Sequence, residues 1–340
     1  MEDLTILPTY DFDPELIERI RAVDPRIRVE QLSRPERLLL RGDPLPAEED
    51  ATAMHQSLAA KLAKTEVILG WPDVAGDLQQ RAPHLRWIHV SSAGVDDLLG
   101  NPAFESGQII VTNSSGVSAI AIGEYILGAM LMLAKRQPRF VRQQVDRHWQ
   151  RHRTAELAGK TFGIVGLGAI GEAAARRARA FEMRILAIRR SATEPSSNEL
   201  VDRLLPPASL PELLRESDYV ALTVPLTPET DGLIGEAELR QMRPSAYLIN
   251  ISRGQVIDQD ALVRALREGW IAGAALDVFD PEPLPPESPL WEMEQVIITP
   301  HISGVAERQN ERITDIFCDN LRRYLAGQPL RNLVDPKRGY

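Results

Sequence analysis

The chain has 340 residues, of which 44% are hydrophobic and 26% charged, the mix of a globular protein with enough sequence for two domains. Its 48 acidic against 39 basic residues give a net charge of −9, which excludes a general nucleic-acid or anionic-membrane binder, since those need a basic footprint. The single cysteine, Cys318, excludes an intrachain disulfide.

Cysteine usage of that kind fits a reducing compartment. The start of the chain lacks the basic and apolar pattern of a secretory leader. The longest apolar stretch, 120–134, is interrupted by Glu124 and falls short of the roughly 20 residues a membrane span needs. A cytoplasmic protein with no membrane partner is expected.

In chain order, short apolar runs at 4–7, 67–69, 87–90 and 109–111 read as strands, each bounded by Pro, Gly, Asn or Asp. Helices are expected at 15–22 and 47–63, giving a small α/β unit with a mostly parallel sheet. Residues 118–134 form an apolar helix and 137–153 a basic, helical continuation. We read 118–153 as the dimerisation helix and arm of a homodimer. Further strands are expected at 161–166, 184–188, 219–224, 246–251, 273–278 and 296–299. Helices at 169–180, 209–216, 235–242 and 259–268 separate them. Such alternation implies a doubly wound parallel sheet with right-handed crossovers.

The tail, 306–325, is amphipathic: Ile313, Ile316, Phe317, Leu321 and Leu325 recur at spacings of three and four. It is expected to pack back on the first unit. The fold class is therefore α/β, with two doubly wound parallel-sheet domains. A smaller, flavodoxin-like substrate domain takes 1–113 and 306–340. A Rossmann dinucleotide-binding domain takes 114–305.

Gly166-Leu167-Gly168-Ala169-Ile170-Gly171 fits G-x-G-x-x-G between an expected strand and an expected helix. The glycines permit a tight turn and close approach to a pyrophosphate, and the helix start offers it free N–H groups. Ile170, Ala174, Ala178 and Phe181 are expected to face the sheet. An NAD site usually carries Asp or Glu about 20 residues after the glycines. Here the second strand ends in Arg189-Arg190-Ser191, with no acid before Glu194. Two guanidiniums and a hydroxyl suit a 2′-phosphate, so NADP is expected in preference to NAD.

The other strands end in Val224-Pro225, Ile251-Ser252-Arg253, Asp277 and Thr299-Pro300-His301, which a doubly wound sheet gathers on one rim. Imidazole trades protons near neutrality, and a neighbouring carboxylate favours its charged form. His301 with Glu282 therefore suits a proton donor to a carbonyl oxygen. Arg253 offers a planar fork for a carboxylate. His148 and His152 are spaced i, i+4 on the expected arm helix but lack a third ligand, so no metal is assigned. Trp71, Trp87, Trp270 and Trp291 are read as core or interface fillers.

These residues resemble the D-isomer-specific 2-hydroxyacid dehydrogenase family over essentially the whole chain. The resemblance rests on the glycine motif and on residues 224–230, 248–254, 275–279 with 282–284, and 299–302. Ala93-Gly94-Val95-Asp96, Asn113 and the tail at 320–330 add to it. The resemblance implies that Arg253 binds the carboxylate of a 2-oxo acid, that His301 gives the proton and that Glu282 holds His301. It further implies that Asp277 faces the nicotinamide carboxamide and that backbone N–H groups at Ala93 and Gly94 complete the carboxylate site. Thr230, Ser303 and Gly304 join the cofactor-binding set. The Arg-Arg-Ser turn is most similar to the glyoxylate and hydroxypyruvate reductase branch, where an arm tryptophan reaches the partner's site. Trp149 lies near that place. The implied activity is NAD(P)H-dependent reduction of a small 2-oxo acid to the D-2-hydroxy acid. Rival readings are a dinucleotide-sensing corepressor and a same-fold dehydrogenase of phosphoglycerate, formate or phosphite.

Overall fold

A computed structural model describes residues 3–41, 43–46, 50–71, 78–95, 98, 104 and 107–335. Asp96 and the expected helix start at 47–49 lie outside them. The chain divides into two compact units, Met1–Val117 with Glu307–Tyr340, and Ser118–Ala306.

In the first unit, β1 (Leu4–Pro8), β2 (Ile27–Val29), β3 (Val67–Leu69), β4 (Trp87–Val90) and β5 (Ile110–Asn113) form one sheet in the order β2-β1-β3-β4-β5. Every pairing is parallel. That is the flavodoxin-type order, whose direction reverses between β1 and β3. Helices α1 (Pro14–Arg21), α2 (Arg34–Leu40), α3 (Ala51–Leu62) and α4 (Leu78–Arg81) connect the strands. β1, β3 and β4 are buried throughout, so they read as unbroken apolar runs rather than as alternations.

β2 was not expected. It has three residues, Arg28 at its centre and an edge position, so it lacks a continuous apolar run. α2 was missed as well, although its start is written in the sequence. Ser33 and Glu36 form a reciprocal capping box there.

In the second unit, β6 (Thr161–Val165), β7 (Arg184–Ile188), β8 (Arg203–Leu205), β9 (Tyr219–Leu222), β10 (Tyr247–Asn250), β11 (Gly273–Leu276) and β12 (Val296–Ile298) pair in the order β12-β11-β10-β9-β6-β7-β8. All these pairs are parallel. The helices are α5 (Ala119–Ala134), α6 (Gln137–Val145), α7 (Ala169–Arg179), α8 (Leu210–Glu216), α9 (Glu236–Leu239) and α10 (Gln259–Glu268). The order reverses between β6 and β9, which makes that the expected ligand crevice.

Two expectations fail here. Phe181 lies beyond the end of α7 and is 38% exposed. The buried face of α7 is Ala173, Ala174, Ala175 and Ala178, because α5 packs on it: a Cβ at Gly123 would meet Ala173 at 3.1 Å. Small residues let the two helices approach closely. The arm helix also ends eight residues early. Arg147 takes a left-handed φ of 54°, His148 N–H bonds the Gln143 carbonyl and Arg147 N–H the Gln144 carbonyl. This is a Schellman closure, hidden because an arginine stands where glycine is usual. His148 and His152 therefore do not share a helix, and no described group of three His, Cys, Asp or Glu could hold a metal.

The tail helix α11 (Gln309–Leu325) belongs to the first unit. Trp87, wholly buried, stacks on Phe317 and Tyr324 at centroid distances of 5.2 and 5.3 Å. Burying one such aromatic contributes about 1.5–3 kcal/mol. Trp291 is 49% exposed and so is not a core filler, whereas Trp270 is half-buried, packs against the core of the second unit and carries the Arg240 guanidinium over its ring at 3.6 Å. No helix of the described residues is long and apolar enough to cross a membrane.

Candidate active site

The glycine loop opens at the point where the strand order of the second unit reverses. Gly166 follows β6 with a φ of 107°, a conformation that side chains with a Cβ rarely adopt. The Thr223 hydroxyl, just past β9, donates to the Gly166 carbonyl at 2.6 Å. A Cβ at Gly171 would meet that same carbonyl at 2.6 Å, so helix and strand close together only with glycine there. Over Gly168, by contrast, an added Cβ meets nothing within 4 Å. No side chain caps α7, which leaves its first N–H groups for an anion. The loop thus offers the open, donor-lined cradle that a pyrophosphate requires. Leu167 is buried, whereas Ala169 is exposed and Ile170 partly so.

Arg189, Arg190 and Ser191 follow β7 and are all exposed. Arg189 lies 3.9 Å from Glu172 of α7. The Glu229 carboxyl is held below its ordinary range, chiefly by a hydrogen bond with Thr227 and to a smaller degree by the charge of Arg190. Thr230 closes the turn after β9 by donating to the Pro225 carbonyl at 2.7 Å.

The turn after β10 is tied by Asn250, which sequence reasoning passed over. Its side chain accepts from the Ser252 N–H at 3.0 Å and donates to the Arg253 carbonyl at 2.9 Å. An Asx-type turn at Asn-x-Ser is the signal that could have exposed it. The Ser252 hydroxyl donates to the Val224 carbonyl, which ties two strand ends together. Ile251 is buried. A Cβ at Gly254 would lie 1.9 Å from the Phe279 carbonyl oxygen, so Arg253 is seated directly beside the Phe279–Glu282 loop. Arg253 is partly buried, and its Nη1 donates to the Ser252 carbonyl at 2.8 Å.

Glu282 joins that loop to the last strand end. One carboxylate oxygen accepts the Phe279 N–H at 2.9 Å, and the other is bonded to His301 Nδ1 at 2.9 Å. His301 sits at a left-handed φ of 53°, a strain that persists only where neighbours over-determine it. Asp277 does so. Its carbonyl accepts the His301 N–H at 2.8 Å. Its carboxylate accepts from the Thr299 hydroxyl at 2.5 Å, Ile302 N–H at 2.9 Å and Ser303 N–H at 2.8 Å. Asp277 has no exposed surface, so it acts on the rim through this turn. A Cβ at Gly304 would meet Ser118 Oγ at 3.3 Å.

In the first unit, Ala93 and Gly94 follow β4. Their carbonyls are pinned, at 2.8 Å by the Asn113 amide and at 2.6 Å by the Ser92 hydroxyl, which fixes how those peptide planes face.

A reversal of parallel strands at a glycine cradle, with a histidine–carboxylate pair on the same rim, defines a dinucleotide-dependent oxidoreductase. Comparison with known proteins narrows the class. Residues 127–303 match the model of the D-isomer specific 2-hydroxyacid dehydrogenase NAD binding domain. A glyoxylate reductase of Korarchaeum cryptofilum is 39% identical over 268 residues, covering 77% of this chain and 80% of that protein. A D-isomer specific 2-hydroxyacid dehydrogenase of Xanthobacter autotrophicus, solved with NADPH and MES, superposes with a TM-score of 0.79 at 29% identity over the full length of both chains. An NADPH-dependent glyoxylate/hydroxypyruvate reductase of Sinorhizobium meliloti, solved with NADP and sulfate, superposes at 0.78 with 26% identity, over 99% of this chain and 100% of that one. The chain belongs to the D-isomer specific 2-hydroxyacid dehydrogenase family.

Proposed function

We propose that the chain is an NADPH-preferring reductase of small 2-oxo acids, with glyoxylate and hydroxypyruvate as the first substrates to try. The observation that carries this reading is the Glu282–His301 hydrogen bond of 2.9 Å. It occupies Nδ1 and leaves Nε2 as the ring atom for substrate. Bound nicotinamide dinucleotide would supply a hydride to the carbonyl carbon. His301 Nε2 would protonate the carbonyl oxygen, with Glu282 orienting the ring and stabilising its charged form. The Arg253 guanidinium would hold the carboxylate and polarise the carbonyl. The exposed Arg189-Arg190-Ser191 turn supports the NADP preference, because it replaces the usual ribose-binding acid with two cations.

Assembly as a homodimer is supported by the apolar side chains exposed along α5 and the arm. Ile120 is 46% exposed, Met132 40%, Val145 78% and Trp149 91%. A solution measurement of mass, by sedimentation or light scattering, checks the dimer. The one cysteine supports a cytoplasmic, reducing setting.

The decisive assay follows NADPH and NADH absorbance with a panel of 2-oxo acids. Turnover of glyoxylate or hydroxypyruvate, with NADPH the better reductant, is the expected outcome. Tight dinucleotide binding without turnover of any acid would favour a sensing protein instead.

A further inference from the structure

We propose that Tyr125 is a positioning residue for the reduction, holding the His301 turn through Thr299 and Asp277. This rests on the reading of His301 as proton donor.

Tyr125 lies in the middle of α5, and its hydroxyl is 2.7 Å from Thr299 Oγ1. Counting protons fixes the direction of that bond. Thr299 has one hydroxyl hydrogen and gives it to the Asp277 carboxylate at 2.5 Å. The Tyr125 hydroxyl must therefore be the donor. Burial, opposed in part by the Thr299 bond, pushes the Tyr125 phenol up to about 12, so the proton stays in place at working pH.

A directed chain of hydrogen bonds thus runs from α5 through Thr299 to Asp277. Its end is the carboxylate that accepts the Ile302 and Ser303 N–H groups, while the Asp277 carbonyl accepts that of His301. Bonds in such a chain polarise one another and strengthen the whole. The turn needs that support, because His301 is a non-glycine residue at a φ of 53°. The N-terminal end of α5 also lies against the turn at Gly304, through Ser118 and Ile122. No charge or proton passes along the chain during reduction. Tyr125 acts only by keeping the imidazole where the oxygen will be.

The test is Tyr125→Phe, which deletes one oxygen and keeps the ring. Loss of one buried donor should lower kcat with NADPH and glyoxylate about 5–20-fold. KM for glyoxylate should stay within about twofold, as expected when only the reacting geometry is disturbed. Amide hydrogen exchange at Ile302 and Ser303 should quicken. Thr299→Val should reproduce the loss, and the double variant should be no worse than either single one, since the two act in series. Thr299→Ser, which keeps the hydroxyl, should restore activity.

Unchanged exchange at Ile302 and Ser303 would overturn the proposal whatever the activity. So would unchanged kcat in Tyr125→Phe, or losses that multiply in the double variant. A wild-type protein inert toward every 2-oxo acid would overturn the functional reading instead. The exchange measurement would then still decide whether Tyr125 holds the turn.

Discussion

Each unit places a histidine at the carboxyl end of its parallel sheet, and the two are held in opposite ways. His89, near the end of β4, has no exposed surface. Its Nδ1 lies 2.7 Å from the Thr112 hydroxyl and its Nε2 3.3 Å from that of Ser114. Ser114 gives its proton to the Val90 carbonyl and Thr112 accepts one from Trp87 Nε1. The ring is therefore neutral, with its hydrogen on Nε2. His301 follows β12, has 52% of its side chain exposed and is bonded to a carboxylate. A ring between hydroxyls in an apolar core resists charge, whereas His301 has a carboxylate on one ring nitrogen and solvent beside it. Position at a strand end alone says nothing about proton transfer; the partner atoms do.

The largest effect should come from exchanging the fates of these two rings. His301→Ala is expected to lower the reduction rate about 10²–10⁴-fold with little change in melting temperature. His89→Gln should do the reverse, keeping turnover within a few-fold while costing about 1–3 kcal/mol of stability. Steady-state kinetics with thermal melts of both variants separate the roles, and near-normal turnover by His301→Ala would end the assignment. Next in size is Arg253→Ala, which removes the guanidinium proposed to hold the substrate carboxylate. We expect kcat/KM to fall about 10²-fold, mostly through KM. Unchanged KM and kcat would remove Arg253 from substrate capture.

The pairing of His301 with Glu282 was legible in the sequence and the hydrogen-bond network of His89 was not, for a physical reason. His301 follows a β-branched strand and a proline, in a segment the family shares, and its partner Glu282 lies in the adjoining loop. The network around His89 joins β4 to Thr112 and Ser114, more than twenty residues away, and no local spacing announces it. The same contrast runs through the fold. Long buried strands such as β6 and β9 stand out as apolar runs. The edge strands β2 and β8, three residues each with an arginine inside, do not. Gly166 and Gly171 were readable because backbone approach leaves glycine no substitute. The end of α6 was not, because Arg147 took the left-handed position.

The buried ring also predicts a pH response. Burial pushes His89 down to about 3, against about 6.5 in an unfolded chain. Between those values the unfolded state binds the extra proton, so stability is complete above about pH 6.5 and is lost as pH falls toward 3. The loss is about 1.4 kcal/mol per pH unit, or about 2 kcal/mol at pH 5. Denaturant unfolding at pH 7.5 and pH 5 should show this in the wild type and lack it in His89→Gln. Equal pH dependence in the two proteins would show that another group carries the acid response.

The smallest effect tests the opposite case, side chains at the surface rather than in the core. Arg189 is only 3.9 Å from Glu172, with 49% of its side chain exposed, so a dianionic 2′-phosphate can recruit it at little cost. Exposed charge pairs are individually worth about 1 kcal/mol or less, although charge-assisted, forked bonds to phosphate are stronger. Arg189→Ala combined with Arg190→Ala should therefore raise KM for NADPH about tenfold. It should leave KM for NADH unchanged, because NADH lacks the phosphate. Parallel losses for both cofactors would mean that the two guanidiniums serve the pyrophosphate or the fold, and would leave the NADP preference resting on the Ser191 hydroxyl alone in the turn after β7.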